Sequence, residues 1–250
     1  MLIIKNIPEL KENLANLKGT RGFVPTMGAL HLGHISLVKE SLKNNDHTIV
    51  SIFVNPTQFD QKEDLENYPQ TLENDLFQLE ELGVDCIFLP NEKEMYPHGY
   101  FYKVEENHLS QILCGASRPG HFSGVLTIVL KLLNLIQADS AYFGLKDYQQ
   151  FQLIKNMARD FFINTQIIGL ETIREKDGLA MSSRNLRLSK KGRELAPQIY
   201  EQMSKNQSLE EIKTKLKKIG FEIDYLEEHF ERRFIAARLE GIRLIDNVEI

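Results

Sequence analysis

Five short apolar runs separated by helical patterns constrain this chain more than any other feature. GFVPT (22–26), TIVSIFV (48–54), DCIFL (85–89), SAYF (140–143) and TQIIGL (165–170) are of strand length and rich in β-branched or aromatic residues. The stretches between them carry helical spacing. Ile35, Val38 and Leu42 share one face, as do Leu72, Leu76 and Leu79. Val125, Ile128, Val129, Leu132, Leu133 and Ile136 form a wide apolar face, and Tyr148, Phe151, Ile154 and Phe161 mark another. Short apolar strands alternating with helices predict an α/β fold, a parallel sheet with helices on both faces. Ligands of such sheets bind at the carboxyl ends of the strands, where the strand order reverses. Residues that carry chemistry should therefore stand just after the strands.

Beyond about Thr172 the texture changes. REKDGLAMSSRN (174–185) reads as a loop, followed by a Lys-rich helical pattern over about 189–205. Ser208, with Glu211 three residues on, has the spacing of a capping box. RFIAARLEGIRLIDNVEI (233–250) reads as a strand, a Gly-containing turn and a second strand. Two units are expected: 1–172 with the parallel sheet, and 173–250 as a smaller α+β domain.

Charge and composition narrow the function classes. A net charge of −5 disfavours a wholesale nucleic-acid binder. The charge is uneven. Residues 54–110 hold thirteen Asp/Glu against three Lys, and residues 184–218 hold ten Lys/Arg against four Glu. Solvated helix faces account for most of these charges. Cys86 and Cys114 form neither a disulfide framework nor a CxxC knuckle. No window approaches the roughly 18–20 apolar residues of a membrane span. The start, MLIIKNIPELKENL, lacks the basic lead and cleavage site of a signal peptide. These features lead us to expect a soluble protein of a reducing cytoplasm.

The first run ends in Pro25-Thr26-Met27-Gly28, then Ala29-Leu30-His31-Leu32-Gly33-His34, then a helix. Gly28 permits a tight turn. His31 and His34 project to one side of a helix opening, where free N–H groups and the dipole favour an anion such as a nucleotide phosphate. On spacing alone they serve equally as a solvent-exposed pair or a two-ligand metal site. A dinucleotide GxGxxG is absent after this run. Asn55, Pro56 and Gln58 follow the second run, and the Gln58 amide can both donate and accept. Asp75 in a first helical turn can be a dipole complement. Arg118 and His121 precede the most apolar helix and read as a conformational anchor or a ligand contact. Gly144-Leu145-Lys146-Asp147 follows the fourth run, and Lys146 is a point charge suited to polyphosphate oxygens. Met181-Ser182-Ser183-Arg184 gathers two hydroxyls and a guanidinium, an anion clamp or else a flexible linker.

PTMGALHLGH (25–34) resembles the signature of the pantothenate synthetase family, in the nucleotidyltransferase superfamily that also holds class I aminoacyl-tRNA synthetases. SIFVNPTQF (51–59), RPGHFSGV (118–125), AYFGLKDYQQ (141–150), REKDGLAMSSRN and RLIDN (243–247) follow in family order, so the resemblance covers essentially the whole chain. It implies a Rossmann-like nucleotide-binding domain and a shortened C-terminal lid. It also implies an ATP-dependent condensation of pantoate with β-alanine through pantoyl adenylate, giving pantothenate, AMP and pyrophosphate. By resemblance, Met27, Gly28, Ala29, Leu30, His31, Leu32, Gly33 and His34 contact ATP, as do Gly144, Leu145, Lys146, Asp147, Ile173, Met181, Ser182, Ser183 and Arg184. His31, His34, Lys146, Ser182, Ser183 and Arg184 would stabilise the triphosphate charge. Gln58, Gln150 and Asn55 would meet pantoate, and Asp75 the magnesium of Mg-ATP. A homodimer is the family habit. Asn74 stands where an acid is common, Leu145 where Glu is common, and Glu171 where Pro is common.

Three competing readings remain at this point. A mononucleotide adenylyltransferase shares HxGH but has no use for an amide pair such as Gln58 and Gln150. A nucleic-acid binder using 184–218 would want aromatics interleaved with the basic residues. A homologue that binds without turnover would fit the substitution at Asn74.

Overall fold

The computed structural model describes residues 1–250. Six strands form one parallel sheet: β1 (Leu2–Ile4), β2 (Arg21–Thr26), β3 (His47–Ile52), β4 (Cys86–Phe88), β5 (Ser140–Gly144) and β6 (Gln166–Leu170). Their spatial order is β1-β4-β3-β2-β5-β6. The connections carry α1 (Ile7–Asn16), α2 (Leu32–Asn44), α3 (Lys62–Glu66), α4 (Leu72–Glu81), α5 (Glu92–Met95), α6 (Leu113–Ser117), α7 (His121–Ile136) and α8 (Tyr148–Asp160). Alternation along the strands sends side chains to two faces. Phe23 and Ile49 join one apolar cluster with residues of α1, α7 and α8. Val24 and Val50, one residue on, join another with Leu37, Val38 and Leu79. The α/β class expected from the runs is the class observed.

From β2 the sheet grows through β3 and β4 to β1 on one side, and through β5 to β6 on the other. The order therefore reverses between β2 and β5, and their carboxyl ends, at Thr26 and Gly144, open a crevice. Every strand read from the sequence is present. The sequence reading misses β1, because three residues leave no periodicity to detect.

The remainder holds α9 (Lys190–Leu195), α10 (Gln198–Met203) and α11 (Leu209–Ile219). These cover an antiparallel sheet of β7 (Glu222–His229), β8 (Arg232–Leu239) and β9 (Ile242–Glu249), in that order. Their apolar cluster, from Leu179 to Val248, is separate from the two above. The single helix expected over 189–205 is two, because Pro197 lacks an N–H and opens a new helix. The Ser208–Glu211 capping box is formed. β7 escapes the sequence reading because EIDYLEEH interleaves acids with its apolar positions; pairing with β8 makes it a strand. Phe161 caps α8 and is largely exposed, so it does not belong to that helix's apolar face.

Candidate active site

The turn after β2 is built by backbone geometry and one buried carboxylate. Gly28 and Ala29 both take positive φ, 80° and 52°. Only glycine adopts that region without cost, so the bend at Ala29 must be held by its surroundings. Asp75 of α4 supplies the hold. Its Oδ2 accepts from the Ala29 N–H at 2.8 Å and its Oδ1 from the Leu30 N–H at 2.9 Å. The Thr71 hydroxyl donates to both oxygens at 3.1 Å. Asp75 is 1% exposed. The carboxylate expected to meet magnesium is thus engaged by the turn, its oxygens accepting from two N–H groups and one hydroxyl. No group of three or more His, Cys, Asp or Glu side chains converges to hold a metal anywhere in the chain.

That turn delivers two histidines in a defined state. His31 caps α2, its Nδ1 accepting from the Gly33 N–H at 3.1 Å. His34 Nδ1 accepts from the His31 N–H at 3.3 Å, closing a reciprocal box. An imidazole that accepts at Nδ1 carries its proton at Nε2. The rings stack with centroids 4.1 Å apart. Burial, then the charge of Lys146, lowers the His31 pKa to about 4. Burial, then His31 and Lys146, lowers that of His34 to about 3. Burial and the nearby ammonium thus hold both rings neutral at pH 7, each with an Nε2–H to donate.

Gln58 stands on a 3-10 turn, Pro56–Gln58, after β3. The turn lies directly on α7 because Gly124 has no side chain; a Cβ there would meet the Thr57 carbonyl oxygen at 2.4 Å. Asn55 is buried, and its Nδ2 donates to Gln58 Oε1 at 3.1 Å and to the Gly124 carbonyl at 3.2 Å. Its Oδ1 accepts from the Tyr96 hydroxyl at 2.8 Å and the Thr57 hydroxyl at 3.0 Å. Asn55 thus orients Gln58, and it also stands on the cavity wall, where it was expected to meet substrate. Arg118 and His121 brace the same turn. His121 Nδ1 donates to the Gln58 carbonyl at 2.7 Å, and Arg118 donates to His121 Nε2 at 3.1 Å and to Asp60 at 2.7 Å. Burial, then the Arg118 charge, lowers the His121 pKa to about 3.

Lys146 follows β5, its ammonium 3.8 Å from the Asp147 carboxylate. Ser182 Oγ accepts from the Arg184 N–H at 3.3 Å and caps a 3-10 turn over Ser183–Arg187. Arg184 and Arg187 both reach Asp64 of α3, at 2.7 and 3.1 Å. Burial works to raise the Asp64 pKa, but Arg184 and then Arg187 hold it below the usual carboxylate range.

These residues meet around one cleft. A cavity of about 230 Å³ is walled by Met27, His31, His34, Asn55, Gln58, Lys146, Asp147, Gln150 and Ser182–Arg184. An adjoining one of about 130 Å³ shares His31, His34, Lys146 and Gln150, and adds Gly33, Gly144, Ile173 and Met181. Gly28, Ala29, Leu30, Leu32 and Leu145, expected to contact ATP, are absent from both walls. The N–H groups of Ala29 and Leu30 point to Asp75, Leu32 is 60% exposed, and Leu145 packs on the core. Tyr68, Tyr148, Phe234 and Asp246 line the larger cavity without having been read from the sequence. Tyr148 and Asp246 had a signal, lying within AYFGLKDYQQ and RLIDN.

Fold and site together define a Rossmann-like α/β enzyme whose cleft opposes a cluster of anion donors to a pair of neutral amides. The family model for pantoate-beta-alanine ligase matches residues 2–249. The pantothenate synthetase of Bdellovibrio bacteriovorus is 52% identical over 93% of this chain and 92% of its own length. That of Francisella tularensis subsp. novicida is 46% identical over 99% and 97%. Among solved structures, the Francisella tularensis pantoate-beta-alanine ligase, complexed with beta-gamma ATP and beta-alanine, superposes with a TM-score of 0.96 at 45% identity, over 100% of this chain and 97% of that one. The Thermus thermophilus enzyme gives 0.90 at 39% identity, over 100% and 99%. The chain belongs to the pantoate-beta-alanine ligase family.

Proposed function

We propose that this chain is the ligase that condenses pantoate with β-alanine, using ATP and releasing AMP and pyrophosphate. Family membership supports the reaction. The observation that carries the residue-level reading is the cleft's division into an anion-donor side and an amide side. A carboxylate is a poor acyl donor, because its leaving group would be oxide. In the first step a pantoate carboxylate oxygen attacks the α-phosphorus of ATP and the bond to the β-phosphate oxygen breaks. In the second the β-alanine amine attacks the acyl carbon of pantoyl adenylate, loses a proton and expels AMP.

No step needs a covalent enzyme nucleophile. The protein supplies position and charge neutralisation. His31 and His34 donate Nε2–H to phosphate oxygens as neutral groups. Lys146 supplies the nearby positive charge. Ser182, Ser183 and Arg184 bind the triphosphate from the far side, with Arg184 exchanging Asp64 for phosphate. Gly144, Ile173 and Met181 line the adjoining space for the nucleoside. Gln58 and Gln150 hold pantoate, orienting its carboxylate without the full ion pair that would weaken it as a nucleophile. Magnesium would be carried into the cleft by ATP, where it would help neutralise the triphosphate charge. The end of the large sheet at Leu170 and the separate apolar cluster support a division near residue 172. Family habit supports a homodimer, and two free cysteines support a reducing cytoplasm.

The test supplies ATP, Mg²⁺, D-pantoate labelled with ¹⁸O in its carboxylate, and β-alanine. AMP carrying one ¹⁸O, together with pyrophosphate, is expected. ADP with phosphate, or AMP without label, would overturn the adenylate route.

A further inference from the structure

RLIDN is the sequence motif that no step of this reaction uses. Consecutive residues of a strand face opposite ways, and in β9 that places Asp246 and Asn247 against two different parts of the site. Asn247 is 2% exposed. Its Nδ2 donates to the carbonyls of Leu145 and Lys146, each at 2.9 Å. Its Oδ1 accepts from Arg232 Nε at 2.7 Å, and that guanidinium lies 4.8 Å from the Tyr148 ring centre. Asp246, 4% exposed, binds Arg174 through both oxygens at 2.6 and 2.9 Å. Arg174 lies 3.8 Å over the Tyr200 ring, donates to the Gly178 carbonyl at 3.0 Å and pairs with Ala180. The hairpin so pinned runs straight into Ser182.

We infer that Asp246 and Asn247 are positioning residues that set the separation between Lys146 and the Ser182–Arg184 loop. This rests on the reading above, in which both bind the triphosphate. An asparagine is required at 247 because two carbonyls face it and need two N–H donors. An aspartate would set carboxylate oxygens against carbonyl oxygens. An alanine would leave the Lys146 turn free to drift, and a displacement near 1 Å costs about 100-fold in rate. The C-terminal sheet is on this view part of the catalytic frame as well as a cover.

The experiment measures single-turnover adenylate formation and pantoate affinity for Asn247→Ala, Asn247→Asp, Lys146→Ala and the Lys146→Ala/Asn247→Ala double variant. Circular dichroism confirms folding at the assay temperature. Both Asn247 variants should lower the rate about 10- to 100-fold, with the pantoate Kd unchanged by calorimetry. In the Lys146→Ala background, Asn247→Ala should add no further loss. Should Asn247→Ala fail to fold, Asn247→Ser, which keeps one donor, is expected to fold and show an intermediate loss. A slow Lys146→Ala beside an Asn247 variant within about twofold of wild type, or additive losses, overturns the positioning role alone. A wild-type rate for Lys146→Ala overturns the assignment of Lys146 and this inference with it.

Discussion

Acid should destabilise the large-sheet unit well above the range where its carboxylates titrate. His31, His34 and His121 are buried and held neutral, with pKa values lowered to about 4, 3 and 3. In the unfolded chain each returns to about 6.5. Between those values the unfolded state binds more protons, so stability rises with pH. The contribution is complete above pH 6.5 and is lost as pH falls from there toward the folded values. At pH 5 each unfolded histidine has gained about 1.5 pH units of protonation free energy, about 2 kcal/mol at roughly 1.4 kcal/mol per unit. Three give about 6 kcal/mol, against a typical total stability of about 5–15 kcal/mol. Asp64, whose pKa is lowered, stabilises the fold at neutral pH and loses that contribution only as pH falls through the carboxylate range, so the windows separate. Urea unfolding at pH 8, 7, 6 and 5 and fixed ionic strength, followed by far-ultraviolet circular dichroism, measures the loss. His121→Gln keeps a donor for the Gln58 carbonyl and should flatten the slope by about one third. An unfolding free energy constant to about 1 kcal/mol between pH 7 and 5 would refute the buried-neutral assignment.

Three other outcomes are expected. His34→Gln keeps a donor near the Nε2 position and should retain most of the adenylation rate, whereas His34→Ala should lose about 100- to 1,000-fold; equal losses would remove the donor role. Asp75→Asn sets an amide N–H against the N–H of Ala29 or Leu30 and should cost about 1–3 kcal/mol in thermal unfolding. Its magnesium midpoint for activity should match wild type, and a large shift in that midpoint would restore Asp75 as a metal contact. Gln58→Ala and Gln150→Ala should weaken pantoate binding while ATP affinity holds, and an unchanged pantoate Kd by calorimetry would exclude the amide pair.

Much of the site was legible because its parts follow strands. His31 and His34 follow β2, Gln58 follows β3, Lys146 and Gln150 follow β5, and a parallel sheet brings those ends to one edge. Supporting residues were harder to read. Asp75 had the position of a helix-dipole acid, and nothing local revealed that its oxygens accept the N–H groups of Ala29 and Leu30. Asn55 and Gln58 look alike in sequence as polar residues of one turn. Both reach the cleft wall, but hydrogen bonds to Tyr96 and the Gly124 carbonyl bury the first and make it a support for the second. Gln149 and Gln150 are adjacent amides, yet Gln149 is turned inward to bind the Cys114 N–H and the carbonyls of Leu109 and Ile112.

By itself the sequence determined the α/β class, the helix openings and the family. Those rest on periodicity, capping chemistry and motif order, all of which act between near neighbours in the chain. Tertiary structure alone decided protonation and partnership. Whether an imidazole is charged depends on its burial and the ammonium beside it. Which carboxylate is free depends on N–H groups that arrive from elsewhere, as those of Ala29 and Leu30 do for Asp75, about 45 residues away in sequence. The two neutral histidines, the occupied Asp75 and the reach of Asn247 to Lys146 are all consequences of long-range packing, which local pattern does not encode.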